Sequence, residues 1–181
     1  MPSVTHFQYM ANYNQRLNTQ VYEAAEQLSN VELASDMGAF FKSILGTLNH
    51  ILVGDLFWLN RFAAIESFTT LQALKNFPKP SKLNQILFED FQQLKQTRIQ
   101  LDSLIHEWLH TNATETDFQQ NLTYKNSKGE VSTRDFCELL HHLFNHQTHH
   151  RGQVSVLLSQ KGIDVGVTDF LIDIVDRSAS T

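Results

Sequence analysis

Nine histidines stand in a chain of 181 residues, and five of them, His141, His142, His146, His149 and His150, fall within one short stretch. On a helix, residues four apart lie about 40° from one another around the axis. His142 with His146, and His146 with His150, can therefore each bring two imidazoles to one point. His149 lies toward the flank of that line, and His141 points away from it. Imidazole is a borderline-soft neutral ligand suited to Zn, Ni, Cu and Fe, and an i, i+4 pair is a common helical chelate. Two ligands are too few for a firm site. His50, set in the apolar run LGTLNHILVGDLF, is the candidate third, because a lone His amid so much apolar surface must be hydrogen-bonded or bound. Three His from two helices, with water in the remaining positions, make an open site of the catalytic type. The same histidines can instead cap helices, pair with carboxylates or sit solvated, and spacing alone leaves both readings standing.

A second pattern, His106-Glu107-Trp108-Leu109-His110, spells the zincin motif with Glu107 as general base. It sits at the end of its helix, with Thr111-Asn112 following at once and no downstream His at metzincin spacing. A structural role is expected there, with Trp108 in a helix interface and Glu107 solvated. The dipole at a helix C-terminus favours a charged His106 or His110. Cys137, the single cysteine, reads as a small buried hydrophobe. No G-x-S-x-G, P-loop or G-x-G-x-x-G occurs.

The elements that must position these residues are helical. Apolar and small residues recur at three and four from His6 to Leu28 (Phe7, Met10, Ala11, Asn14, Leu17, Val21, Ala24, Ala25), the stripe of an amphipathic helix. Ala39 to Ala64 runs almost without breakers and is apolar on most sides. It is expected to be the most buried helix, with Gly46 and Gly54 admitting close neighbours. FPKPSK at 77–82 marks a loop in which Ser81 is a plausible N-cap, and Leu83 to His110 reads as a third helix. Phe118 to Ser132 reads as a small hairpin around Asn126 to Gly129. A fourth long helix opens at Ser132 or Thr133 and ends at Lys161-Gly162, and a short fifth spans Thr168 to Asp176. The expected fold is all-α, a four-helix bundle in a single domain over residues 1–181, and bundle cores commonly hold metal or ligand sites between facing helices.

Composition narrows the function classes. The hydrophobic fraction is 41% and the charged fraction 18%, the balance of an ordinary globular protein. Fourteen Lys+Arg against 19 Asp+Glu give a formal charge of −5, so no global positive field collects nucleic acid or anionic lipid. No secretory signal is recognisable, no apolar run reaches the roughly 18 residues of a membrane span, and one cysteine fits a reducing compartment. A soluble cytoplasmic protein with neither nucleic-acid nor membrane partners is expected. Thirteen Phe and the continuously apolar second helix suggest more apolar surface than one small bundle covers, so a two-fold homodimer is expected too.

With these residues placed, the sequence resembles the DinB/YfiT family of bacterial metal-binding four-helix bundles over nearly its whole length. The resemblance rests on Tyr13-Asn14 and Asn18, on Leu48-Asn49-His50 followed by Asp55 and Trp58, and above all on the N-H-x-x-x-H-R-G-Q motif at 145–153. Where the family often has Trp two after the first Asn, this chain has Arg16. The resemblance implies metal ligands at His50, His146 and His150, with His149 not among them. It further implies a zinc or nickel cofactor, a dimer, and transfer of a low-molecular-weight thiol to an electrophile, a small-molecule substrate. Two other readings remain: hydrolysis by metal-bound water, and a non-catalytic binding protein. No acid-base residue is assigned. Asn49, Asp55 and Gln153 are candidates for orienting the ligand rings, since metal-bound imidazoles usually donate their other N–H.

Overall fold

The computed structural model describes residues 4–126, 128–176 and 178. Four long helices dominate it: α1 (Val4–Ala25), α3 (Ile44–Phe62), α4 (Phe91–Glu107) and α5 (Phe136–Gln160), with a short α2 (Asn30–Ala34) between the first two. Among the described residues the fold is all-α apart from one antiparallel hairpin, β1 (Asn121–Lys125) with β2 (Val131–Asp135), paired Asn121 to Asp135 and Thr123 to Thr133. α1 packs on α4 and α5, and α3 packs on α5, so neighbours in space are not neighbours in sequence. No helix among the described residues is long and apolar enough to cross a membrane.

Local chemistry decides where each helix begins. The second long helix starts at Ile44 rather than Ala39 because Ser43 takes an extended conformation and its side chain accepts from the Gly46 N–H. The residues before it form a tight turn in which Lys42 adopts φ 66°. The third long helix starts at Phe91, capped by Asp90 rather than Ser81. Residues ahead of that cap are held as a loop by Asn49, whose side chain accepts from the N–H groups of Leu87 and Phe88 and donates to the Phe88 carbonyl. The fourth starts at Phe136, capped by Asp135, because Ser132 and Thr133 are taken up in strand pairing. Its end is as expected: Gly162 at φ 76° lets Ile163 N–H reach the Leu158 carbonyl. The closing helix is reduced to a 3-10 turn at Phe170–Asp173. Arg16 holds this segment against α1 by bonding the Val167 and Asp169 carbonyls and the Asp173 carboxylate.

α3 is buried along most of its length, from Ile44 through Leu56. At the centre of the bundle its apolar contacts give way to a charged cluster. Asp55 pairs with Arg98, Arg98 lies 2.7 Å from Asp102, and Asn18 donates to both Asp102 oxygens at 3.0 Å. Arg151 donates to Asn14 and, at 3.2 Å, to Gln147. Two cations and two carboxylates cancel, which is what permits such burial. Burial works against the Arg98 charge, but Asp102 and Asp55 outweigh it and raise its pKa. Burial pushes the Asp55 carboxyl up, to about 6, against the pull of Arg98.

Candidate metal centre

His50 comes from the middle of α3, and His146 and His150 from consecutive turns of α5. One ring nitrogen from each lies within 4.8 Å of the other two. The helices run antiparallel here, with His50 beside His150, Gly54 beside His146 and Trp58 beside His142. Gly54 is what admits the middle ligand. A Cβ at that position would sit 2.6 Å from His146 Cε1, closer than any side chain tolerates.

Two of the three rings are held in one tautomer by acceptors outside the cluster. His50 Nδ1 lies 2.9 Å from the Leu83 carbonyl, which can only accept, so Nδ1 carries the proton and Nε2 presents its lone pair. His150 Nδ1 lies 2.8 Å from Gln153 Oε1, with the same result, and the Gln153 amide reaches His149. His50 Nε2 faces His146 Nε2 at 3.1 Å. Two nitrogens on one ion with bonds of roughly 2.1 Å are separated by about 3.0 to 3.4 Å, so the spacing fits a shared cation. His146 Nδ1 is buried without a hydrogen-bond partner. Burial lowers the pKa of all three, aided by the neighbouring imidazoles at His146 and His150. His146 falls to about 3, so all three rings are neutral imidazoles at pH 7.

Of the proposed ring-orienting residues, only Gln153 touches a ligand directly. Asn49 acts through the loop it pins, which carries Leu83 to His50. Asp55 points instead into the charged cluster. Phe41, delivered by the turn before α3, stacks on His50 with ring centroids 3.8 Å apart and an interplanar angle of 17°.

Residues 1–176 match the DinB family. The chain belongs to that family. Among curated relatives, protein DinB of Bacillus subtilis (strain 168) is 22% identical over 158 residues, covering 87% of each chain. An uncharacterized protein YizA of the same organism is 25% identical over 146 residues, covering 80% of each. DinB family membership and the three-His cluster are compatible with metal binding.

The remaining histidines of this DinB-family chain lie outside the cluster. His141 packs against His6 and Phe7, His142 is exposed beside Trp58, and His149 is exposed on the flank. His106 and His110 stack on each other, 4.0 Å apart, where α4 widens into a π-helical turn at Trp108–Asn112. Burial, and then the adjacent His106, lower the His110 pKa. Trp108 is fully buried against Phe62, Phe68 and Phe136, Glu107 is exposed, and Cys137 is buried with its thiol pKa raised by burial. A cavity of about 780 Å³ opens from His50 and His146 toward Trp58, Arg61 and Tyr124, within the range of small-molecule sites.

Several residues around the site gave no signal in the sequence. Phe41 and Leu83 are set by turn and loop geometry. Arg98 and Asp102 sit in a helix whose polar positions look solvated. Asn14 was read into an apolar stripe, and its i, i+4 partner Asn18 was the available hint that this face meets polar groups.

Proposed function

We propose that this protein holds a divalent cation, zinc or nickel, on His50, His146 and His150, and uses the site to join a low-molecular-weight thiol to an electrophile. The observation that carries the reading is the convergence of three neutral imidazoles, two with Nε2 freed by fixed tautomers, beside a substrate-sized cavity that His50 and His146 line. When bound, the cation supplies Lewis-acid stabilisation of a thiolate, the attacking form of a thiol. The chain's own residues do the rest. Leu83 and Gln153 orient the rings, Gly54 leaves room for His146, and Phe41 shields His50 from water. Phe57, Trp58 and Tyr124 give the electrophile an apolar wall.

The test is elemental analysis of untagged protein, followed by conjugate formation with a panel of thiols and aryl halides. Metal near one equivalent, and conjugation that needs both thiol and metal and disappears in His50→Ala, are expected. Turnover without thiol, or His50→Ala keeping its metal, refutes the proposal. The proposal extends to a homodimer, supported by exposed apolar side chains such as Phe40 and Val31, and sedimentation as a monomer refutes that part.

A further inference from the structure

The cavity that leads away from the three histidines has a one-sided electrostatic lining. Arg61, Lys82 and Lys125 face it, and no acidic residue does, although the chain as a whole carries a net charge of −5. Arg61 is the most constrained of the three. Its guanidinium carbon lies 4.6 Å from the Trp58 ring centroid and 4.9 Å from that of Tyr124, and those two rings meet edge to face 5.4 Å apart, so the group rests against both members of an aromatic pair. Among the described residues, Arg16, Arg98 and Arg151, the other three arginines that are at least partly buried, all bond polar groups of the protein. The Arg61 side chain has no ion pair or hydrogen bond to any described residue. The dipole of α3 favours a cation in its last turn. It does not account for a guanidinium resting against two aromatic rings at a cavity wall with no protein acceptor for its donors.

Arg61 is also aligned with the metal centre. It lies eleven residues after His50 on α3, about three turns later and only about 20° around the axis, a rise of about 16 Å. Gly54 and Trp58 fall between them along the cavity.

We propose that Arg61 is a specificity-determining residue that binds an oxyanion, carboxylate or phosphoryl, on the far end of the substrate, while the end to be modified lies at His50 and His146. The substrate is then an elongated molecule with an apolar or aromatic middle against Trp58 and a terminal anion. A planar guanidinium with free donors matches such a group bidentately, which a lysine ammonium cannot do. Lys82 and Lys125 add attraction at the rim, where it is screened by salt. This inference rests on the reading of the cavity as the substrate site of the metal centre.

The experiment is equilibrium binding of para-nitrobenzoate, para-nitrophenyl phosphate and the uncharged methyl para-nitrobenzoate. Each is followed by quenching of tryptophan fluorescence, in metal-loaded and chelator-treated protein. At least one anion is expected to bind about tenfold or more tighter than the ester, with and without metal, and the comparison of the two anions identifies the oxyanion preferred. Arg61→Met should lose that preference while keeping the wild-type metal content, and Arg61→Gln serves if the Met variant does not fold. Equal binding of acids and ester by the unmodified protein overturns the inference, as does a preference that survives in the Arg61 variant. A preference that vanishes on chelation places the anion on the metal and overturns it as well. Metal content is read separately, so an absent metal defeats the proposed function without deciding the role of Arg61.

Discussion

Gly54→Ala separates the metal centre from the stability of the fold. The added Cβ would stand 2.6 Å from His146 Cε1, and ordinary contact begins near 3.4 Å, so the ring must retreat by about 0.8 Å. Metal sites tolerate displacements of about 0.2 Å in ligand distance, and the retreat is several times that. Burial of His146 beside Gly54 leaves the ring little room to compensate without leaving its rotamer, at a cost of about 1 kcal/mol. Against this, Ala is favoured over Gly in a helix interior by about 1 kcal/mol. The two nearly cancel in the metal-free protein, so its urea midpoint should stay close to that of the unmodified chain. Metal affinity should fall by at least the ten- to hundredfold lost when a ligand's orientation is disturbed. Competition against a chromophoric chelator measures it. Unchanged affinity in Gly54→Ala, with unchanged stability, refutes His146 as a ligand held by this packing.

Two further perturbations test the surroundings. Replacing Asp55 by Ala leaves Arg98 buried with one carboxylate fewer, and should lower stability by about 3 to 5 kcal/mol in urea unfolding; a loss under about 1 kcal/mol contradicts the reading of the cluster as paired charges. The His146 pKa is depressed to about 3 in the folded protein, so between about pH 6.5 and 3 the unfolded chain binds more protons than the native one. Stability of the metal-free protein should therefore fall as pH falls through that window, and a His146→Leu variant should show a flatter dependence; equal slopes for the two proteins refute the assignment.

The long helices were legible because each buries a stripe whose period survives in the sequence, as Phe7, Ala11, Leu17, Val21 and Ala25 do in α1. Their beginnings were less so. Ser81 and Asp90 are both good caps on local grounds, and the choice between them is made by Asn49, thirty-odd residues away in sequence, which bonds the Leu87 and Phe88 N–H groups and keeps that stretch out of the helix. Ser132 and Thr133 lose to Asp135 in the same way, because cross-strand pairing claims them first. At the site, the i, i+4 spacing of His146 and His150 was visible, but it did not by itself separate this pair from His142 with His146. The deciding contacts are the neighbours of each ring: His150 has Gln153 and His50, whereas His142 lies exposed against Trp58. Phe41 and the Leu83 carbonyl reach His50 through irregular backbone, which carries no period for a sequence reading to find.

The placement of the charged cluster explains how an apolar bundle can hold ligands to the tolerance a metal needs. Gly54, His146 and His150 are each followed directly by a member of that cluster, Asp55, Gln147 and Arg151. A step of one residue turns about 100° around a helix, so the histidines face the three-His cluster while the next side chains face the polar centre. Apolar stripes pack well over a range of small rotations, because dispersion contacts are individually weak and non-directional. Hydrogen bonds are not: a turn of α3 would separate Asp55 from Arg98, and a turn of α5 would separate Arg151 from Asn14. The two faces of α3 and α5 are therefore coupled: partners buried on one side set the angle at which imidazoles emerge on the other. Loss of Asp55 should then weaken metal binding in the fraction that remains folded, although Asp55 touches no ligand. Wild-type metal affinity in folded Asp55→Ala would show that apolar packing alone fixes the helix rotation.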